Sequence, residues 1–228
     1  VKIASSPAEC LAWKGLAVVV DVLRCSTNIC AMLKRGKPCV RIYADKKKAV
    51  AWHKAHPVSD FFSELEFPPE FAKYDNSPWQ ALKSDPARPA VLVTGAGTKA
   101  VIGLKNASEV YIGCFANFPC AVSKLKQTGK PALIVPAGIF YLGHIEDALC
   151  AAALKAAAAG EPAAAKRAMS ALKKSGRIEE FLAMRKETGE KDVALALNIG
   201  GLAVLPKIEV FGDYGIASDS LKNDRKKS

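Results

Sequence analysis

The chain has little histidine and no long apolar run. Of its 228 residues only 3 are His, and His53 and His56 fall in a lysine-rich stretch that reads as a solvated helix face rather than a metal site. No stretch of about 18 residues is free of charge, so no membrane span is predicted, and the first residues lack the basic-then-apolar order of a secretory leader. A cytoplasmic protein with no membrane partner is the expectation. Cysteine is present but unpatterned: 7 residues, at positions 10, 25, 30, 39, 114, 120 and 150, with no Cys-x-x-Cys pair. An odd, scattered set argues against a disulfide framework and against structural zinc, and predicts reduced thiols, several of them core. Aromatics are sparse at 7%, and no basic stripe is interleaved with them. Without that stripe, and without a helix-turn-helix, zinc-finger or RNA-recognition signature, the formal charge of +11 does not read as a nucleic-acid surface. It suits a small, multiply charged anion, whose local concentration positive potential raises. A nucleic-acid binder is the least favoured reading, and a homodimer stays open.

What the chain has is apolar substance in short blocks. Half of it is hydrophobic, 50%, enough for a full core, and residues 1–221 are read as one α/β domain with a basic tail at 222–228. Its organising stretch is Ala17-Val18-Val19-Val20-Asp21-Val22-Leu23-Arg24-Cys25-Ser26-Thr27. The β-branched run has no alternation, which predicts a strand covered on both faces, as in a largely parallel or mixed sheet between helix layers. Asp21 then falls at the strand's carboxyl end, where open α/β sheets place their ligands, with Ser26 and Thr27 ready to open a helix.

Along the chain, Ser6-Pro7-Ala8-Glu9 has the hydroxyl, proline and acid of a helix start. A helix from Thr27 to about Arg35, ending at Gly36, precedes a strand over Cys39 to Tyr43 and a helix from Ala44 to His56. Ser59 to Pro89, rich in proline and phenylalanine, reads as an irregular functional loop region. Strand-turn-helix grammar then recurs at Ala90 to Val93, Val110 to Ile112 and Ala132 to Val135, each closed by polar residues, which predicts loops gathered on one sheet edge. Helices run on to about Lys186, and Asp192 to Asn198 keeps helical spacing. Ile208 to Phe211 reads as a final edge strand, and Lys222 onward as frayed.

Two loops are candidate anion or cation sites. In Thr94-Gly95-Ala96-Gly97-Thr98-Lys99 the glycines allow backbone N–H groups to approach an oxyanion, with the Thr98 hydroxyl and the Lys99 charge beside them. It is not a P-loop, since Gly-x-x-x-x-Gly-Lys is absent, and a tight turn explains it about as well. Glu146 and Asp147 are adjacent acids in a helix's first turn, for which the helix dipole alone is a sufficient account. Convergence with Asp21 at one sheet edge would turn these acids into hard oxygen ligands for Mg²⁺ next to a phosphate cradle.

Several strings, in order, resemble those of the 2-phosphosulfolactate phosphatase (ComB) family. Val20-Asp21-Val22-Leu23-Arg24-Cys25-Ser26-Thr27 is similar to V/I-D-V-L-R-A-S/T-T, with Cys25 for a small residue. Asn76-Ser77-Pro78 resembles the end of F-D-x-G-N-S-P, Gly97-Thr98-Lys99-Ala100 the end of T-T-x-N-G-T-R/K-A, and Gly113-Cys114-Phe115-Ala116-Asn117 the string G-S-F-x-N. Ala137-Gly138 with Glu146-Asp147-Ala148-Leu149-Cys150-Ala151 is similar to C-A-G…E-D-x-L-C-A-G. The likeness covers about Ala17 to Ala152. Departures fall at Lys73, where the motif has its acid, at Ala96 for Asn, at Pro136 for Cys, and at Leu65, where G-E-R has its arginine.

The resemblance implies a three-layer α/β/α fold and a Mg²⁺-dependent phosphohydrolase of the coenzyme M biosynthesis type, releasing sulfolactate and inorganic phosphate. It implies Asp21 as metal ligand or nucleophile, Glu146 and Asp147 as metal ligands or water-orienting groups, and Arg24, Thr98 and Lys99 on the phosphate. Ser26, Thr27, Asn76, Ser77, Gly97 and Asn117 are further expected substrate contacts. The departures leave a second reading, a diverged member that binds or hydrolyses another phosphorylated or sulfonated small anion, or is non-catalytic.

Overall fold

The computed structural model describes the backbone of residues 1–225 and the side chains up to Lys222. In chain order the elements are β1 (Lys2–Ile3), α1 (Pro7–Ala12), β2 (Leu16–Val20), α2 (Cys25–Arg35), β3 (Val40–Tyr43), α3 (Lys46–Ala55), β4 (Asp60–Ser63), α4 (Pro78–Lys83), β5 (Ala90–Val93), α5 (Gly97–Ile102), β6 (Glu109–Ile112), α6 (Phe118–Gln127), β7 (Ala132–Pro136), α7 (Ile145–Ala158), α8 (Ala164–Lys174), α9 (Arg177–Met184), α10 (Gly189–Ala196), β8 (Pro206–Phe211), β9 (Tyr214–Asp219) and α11 (Ser220–Arg225). Two short 3₁₀ turns, Phe115–Asn117 and Ala137–Phe140, follow β6 and β7. The strands form one nine-stranded mixed sheet in the order β1-β7-β2-β6-β8-β9-β3-β5-β4, and helices cover both faces in a three-layer α/β/α arrangement.

β2 is buried at every position, as an unalternating run requires. Ala17 and Val19 pack into the core under α2, while Leu16, Val18 and Val20 pack against α6, α7 and α8 on the opposite face. The helix start at Ser6 forms as its sequence suggests, with the Ser6 hydroxyl accepting from the Glu9 N–H. α2 ends at Gly36, whose φ of 100° lets the Gly36 N–H reach the last carbonyls of the helix.

The sheet departs from the expected plan in its direction. β1, β7, β2 and β6 run parallel to one another, as do β3, β5 and β4, but antiparallel pairings β6–β8, β8–β9 and β9–β3 separate the two groups and reverse the second. The turns after β2 and β5 would lie at opposite edges of a flat sheet. Twist of about 25° per strand over the steps from β2 to β5 amounts to roughly 125°, which brings the reversed β5 to within roughly 55° of β2. Helices α2 and α5 lie on the same face, α2 touching β3, β6, β8 and β9, and α5 touching β2, β3, β8 and β9. Twist, rather than a common edge, accounts for the meeting of the loops.

The same hairpin corrects the reading of Ile208 to Phe211. β8 lies in the middle of the sheet, and β9, a strand not expected from the sequence, returns beside it through a tight turn at Gly212, whose φ is 62°. The stretch from Ser59 to Pro89 is likewise less irregular than its prolines suggest. It contributes the edge strand β4, with Phe62 facing the α2 side and Phe61 the α3 side, where Phe67 and Phe71 pack against it, followed by α4. α11 extends helix through Lys222 to Arg225, where fraying was expected, and the rest of the tail lies outside the described residues. Among the described residues no helix is long and apolar enough to cross a membrane.

Because Gly212 holds the hairpin that joins the two halves, Gly212→Ala should cost about 1–2 kcal/mol of folding stability, the price of a Cβ in the left-handed region. A urea unfolding midpoint equal to that of the parent chain would show that the turn tolerates the side chain.

Candidate active site

The site begins where β2 stops. Asp21 Oδ1 accepts from the Cys25 N–H at 2.9 Å, and the Asp21 N–H donates to Ser26 Oγ at 2.9 Å, so the carboxylate is fixed by the turn it opens. Asp21 is buried. The turn after β5 closes over it: a Cβ on Gly97 would lie 2.5 Å from Asp21 Oδ2 and 2.5 Å from Cys25 Cβ, so only glycine admits this approach. From the opposite side α7 brings Asp147, whose Oδ1 accepts from the Val22 N–H at 2.8 Å. Asp21, Gly97 and Asp147 thus meet, across a sequence separation of 125 between Val22 and Asp147.

A further acid joins them. Glu64, just past β4, accepts from the Gly95 N–H at 2.9 Å through Oε1 and from Asn76 Nδ2 at 3.0 Å through Oε2. Asn76 in turn accepts from Asn28 Nδ2 at 2.9 Å. In the sequence Glu64 is marked only by its place before Leu65, where the G-E-R motif has its arginine.

The other expected contacts are engaged within the chain. Glu146 is buried in a forked ion pair with Arg177, three N···O distances lying between 2.9 and 3.1 Å, and Arg177 also reaches Glu180. Arg24, expected on phosphate, is turned inward: its guanidinium takes both oxygens of Asp75 at 2.7 and 2.9 Å and Asp192 Oδ2 at 3.0 Å. It is 1% exposed. Ser77 caps α4 and donates to Asp192 Oδ1 at 2.6 Å, and Thr188 donates to Asp192 Oδ2 at 2.8 Å. Ser26 and Thr27 hydroxyls serve the β2–α2 turn, Thr27 donating to the Val22 carbonyl at 2.8 Å. The Thr98 hydroxyl closes the 94–98 turn on Thr94, Asn117 ties Cys114, Ile112 and Val204 together, and Lys99 is an exposed side chain whose ammonium lies 5.7 Å from the Tyr141 ring centre. Asp192 and Arg177 carried no sequence signal, since their partners lie far along the chain.

Electrostatics sorts these acids into two groups. Burial, then the charges of Glu64 and Glu146, pushes Asp21 up to about 7. Burial, then the charges of Asp21 and Glu146, holds Asp147 well above the usual carboxylate range. Burial would raise Asp75 too, but the hydrogen bonds and charge of Arg24 pull it below that range. The acids clamped by arginine are compensated; among the described residues Asp21 and Asp147 form no ion pair and are held by neutral N–H groups.

Magnesium was expected on Asp21, Glu146 and Asp147. Among the described residues no three His, Cys, Asp or Glu side chains are grouped to hold a metal ion, and Arg177 already claims Glu146, so the three-carboxylate set is not formed. Asp21 and Asp147 still suit Mg²⁺, which commonly takes one or two carboxylates and fills its other positions with water and substrate oxygens.

A family model described as 2-phosphosulpholactate phosphatase matches residues 3–209. The chain belongs to this family. A relative from Symbiobacterium thermophilum named a probable 2-phosphosulfolactate phosphatase is 32% identical over 153 residues, covering 65% of this chain and 65% of the relative. One from Methanothermobacter thermautotrophicus named 2-phosphosulfolactate phosphatase is 30% identical over 148 residues, 64% of this chain and 62% of the relative. The chain thus spans a little under two thirds of the length of these two relatives. The resemblance drawn from the Asp21, Gly97, Asn117 and Glu146-Asp147 strings named the same family.

Because the folded state raises the Asp21 pKa, it holds that proton more tightly than the unfolded chain, and stability falls as pH rises from the ordinary carboxylate range through about 7. In chelating buffer Asp21→Asn should therefore melt higher than the parent at about pH 8, with the difference vanishing near about pH 4. A melting difference that is the same at both pH values would contradict an ionised, uncompensated Asp21.

Proposed function

We propose that the chain is a Mg²⁺-dependent phosphoric monoester hydrolase that converts 2-phosphosulfolactate and water into sulfolactate and inorganic phosphate, in the cytoplasm, as a step of coenzyme M biosynthesis. The observation that carries the reading is the pair Asp21 and Asp147: two buried carboxylates at one turn, with no lysine or arginine on either among the described residues. Buried carboxylates without a cationic partner are costly to ionise, and a bound cation would offset that cost.

In this reading Asp21 and Asp147 would hold the ion, which when bound neutralises phosphoryl charge and polarises the P–O bonds. Asp21, fixed by the Cys25 N–H and roofed by Gly97, orients the attacking water or attacks phosphorus itself. Glu146 is kept from the ion by Arg177 and sets the first turn of α7, so that Asp147 meets Val22. Phosphoryl transfer asks a protein mainly for positioning and charge neutralisation, which these roles supply. As the phosphorus–oxygen ester bond breaks, the departing alkoxide takes a proton from the attacking water and leaves as the sulfolactate hydroxyl. Where Asp21 attacks first, the alkoxide takes the proton on Asp21, and water then cleaves the aspartyl phosphate to release phosphate and restore the carboxyl group.

One observation favours a retuned anion. Lys73 folds its ammonium onto the Ser63 carbonyl at 2.8 Å, putting a cation where the family string carries an acid. A member built this way accepts a phosphorylated or sulfonated anion of altered shape.

The purified chain should release phosphate from 2-phosphosulfolactate, lose that activity in EDTA, and lose at least a hundredfold in kcat as Asp21→Asn, on the scale of about 10²–10³ seen when one charge-stabilising group is removed. Turnover that survives both treatments refutes the assignment. Calorimetric binding without turnover across a panel of phosphoesters selects the diverged reading.

A further inference from the structure

The turn after β5 was expected to offer its backbone N–H groups to an oxyanion, and it already does so within the chain. The Gly95 N–H donates to Glu64 Oε1 at 2.9 Å, the distance at which a phosphate oxygen would sit. The other Glu64 oxygen takes Asn76 Nδ2 at 3.0 Å, itself anchored by the fully buried Asn28. Among the described residues, Asn28 Oδ1 is the buried side-chain polar atom left without a hydrogen-bond partner. The donors around Glu64 are thus arranged for an anion, with one acceptor at the end of the chain still unsatisfied.

Glu64 is loosely held and, unlike the buried Asp21 and Asp147, only half-buried. Glu146, Asp75 and Asp192 are each fastened by an arginine, whereas no ion pair is formed by Glu64 among the described residues. It is half-buried, on the stretch between β4 and α4, and shares the site with Asp21, whose like charge repels it. A carboxylate with two neutral donors, a like charge beside it and a path to solvent is the acid that can leave. A phosphate offers several oxygens around one phosphorus, so it can take the Gly95 N–H and Asn76 Nδ2 together.

We propose that the Glu64 carboxylate is a resident stand-in for the substrate's phosphoryl group: it occupies the Gly95 amide in the free protein and swings out when a phosphate oxygen takes its place. This rests on the proposed phosphoester site and adds to it an internal competitor that sets anion affinity. The apparent affinity for phosphate is reduced by the fraction of molecules in which Glu64 has vacated the amide.

Inorganic phosphate titrated calorimetrically into the parent chain, E64Q and E64A, with Mg²⁺ fixed, decides the matter. Both variants should bind phosphate at least severalfold more tightly than the parent, E64A because the amide is vacated and E64Q because the charge is gone. Binding that is weaker, unchanged or absent in both overturns the proposal and makes Glu64 a positioning or cation-holding group. Turnover is scored apart: tighter phosphate binding by the variants with no phosphoester hydrolysed by the parent keeps this inference and removes the phosphatase reading. Hydrolysis by the parent with phosphate affinity unmoved by either variant does the reverse.

Discussion

The structure turns on an acid buried without a cation of its own. Asp21 sits at the end of a strand covered on both faces, and its carboxylate is held by the Cys25 N–H, with Gly97 against its second oxygen. Neutral hydrogen bonds fix its position but do not cancel its charge, so burial and the neighbouring acids raise its pKa to about 7. Each nearby element answers to that constraint. Gly97 has no side chain because the carboxylate needs the space, and α7 starts where Asp147 can reach the Val22 N–H.

Bringing those elements together depends on the sheet's change of direction. A uniformly parallel sheet would put the turns after β2 and β5 on one edge but leave them separated by the strands between. Here the β8–β9 hairpin reverses β3, β5 and β4, and twist accumulated over the intervening strands offsets much of that reversal. α2 and α5 pack on the same face, and Gly97 meets Asp21 directly. β4 then rides on the outside of β5, and it is β4 that delivers Glu64 to the Gly95 amide.

Much of this was legible along the chain, and the limit of legibility has a physical cause. The unalternating run Val18 to Val20 announces a two-sided strand, and an acid directly after it announces a strand-end site, because both signals are local. The Phe61-Phe62 pair concealed β4, since adjacent aromatics among prolines resemble a loop until each ring is seen to take a different face of the sheet. Ile208 to Phe211 is legible as a strand, but nothing local reports which strands lie to either side, so its central place is not. Arg24 shows the same limit at the site. A guanidinium beside a strand-end acid reads as a phosphate ligand, but its partners Asp75 and Asp192 lie 51 and 168 residues away, and they claim it.

Those partnerships also divide the acids by task. A buried carboxylate forked onto an arginine is expensive to disturb, because removing either member leaves a charge stranded in the interior. Glu146 on Arg177, and Asp75 and Asp192 on Arg24, therefore tie α7 to α9 and the segment before α4 to α2 and α10, and the framework around the turn stays fixed. Among the described residues, Asp21, Asp147 and Glu64 have only amide donors. The charge of Glu64 raises Asp21 and that of Asp21 raises Asp147, a repulsion the fold retains while the compensated acids hold the walls. The arginines are taken up by those walls, and the charge of Arg24 offsets only part of what burial does to Asp21.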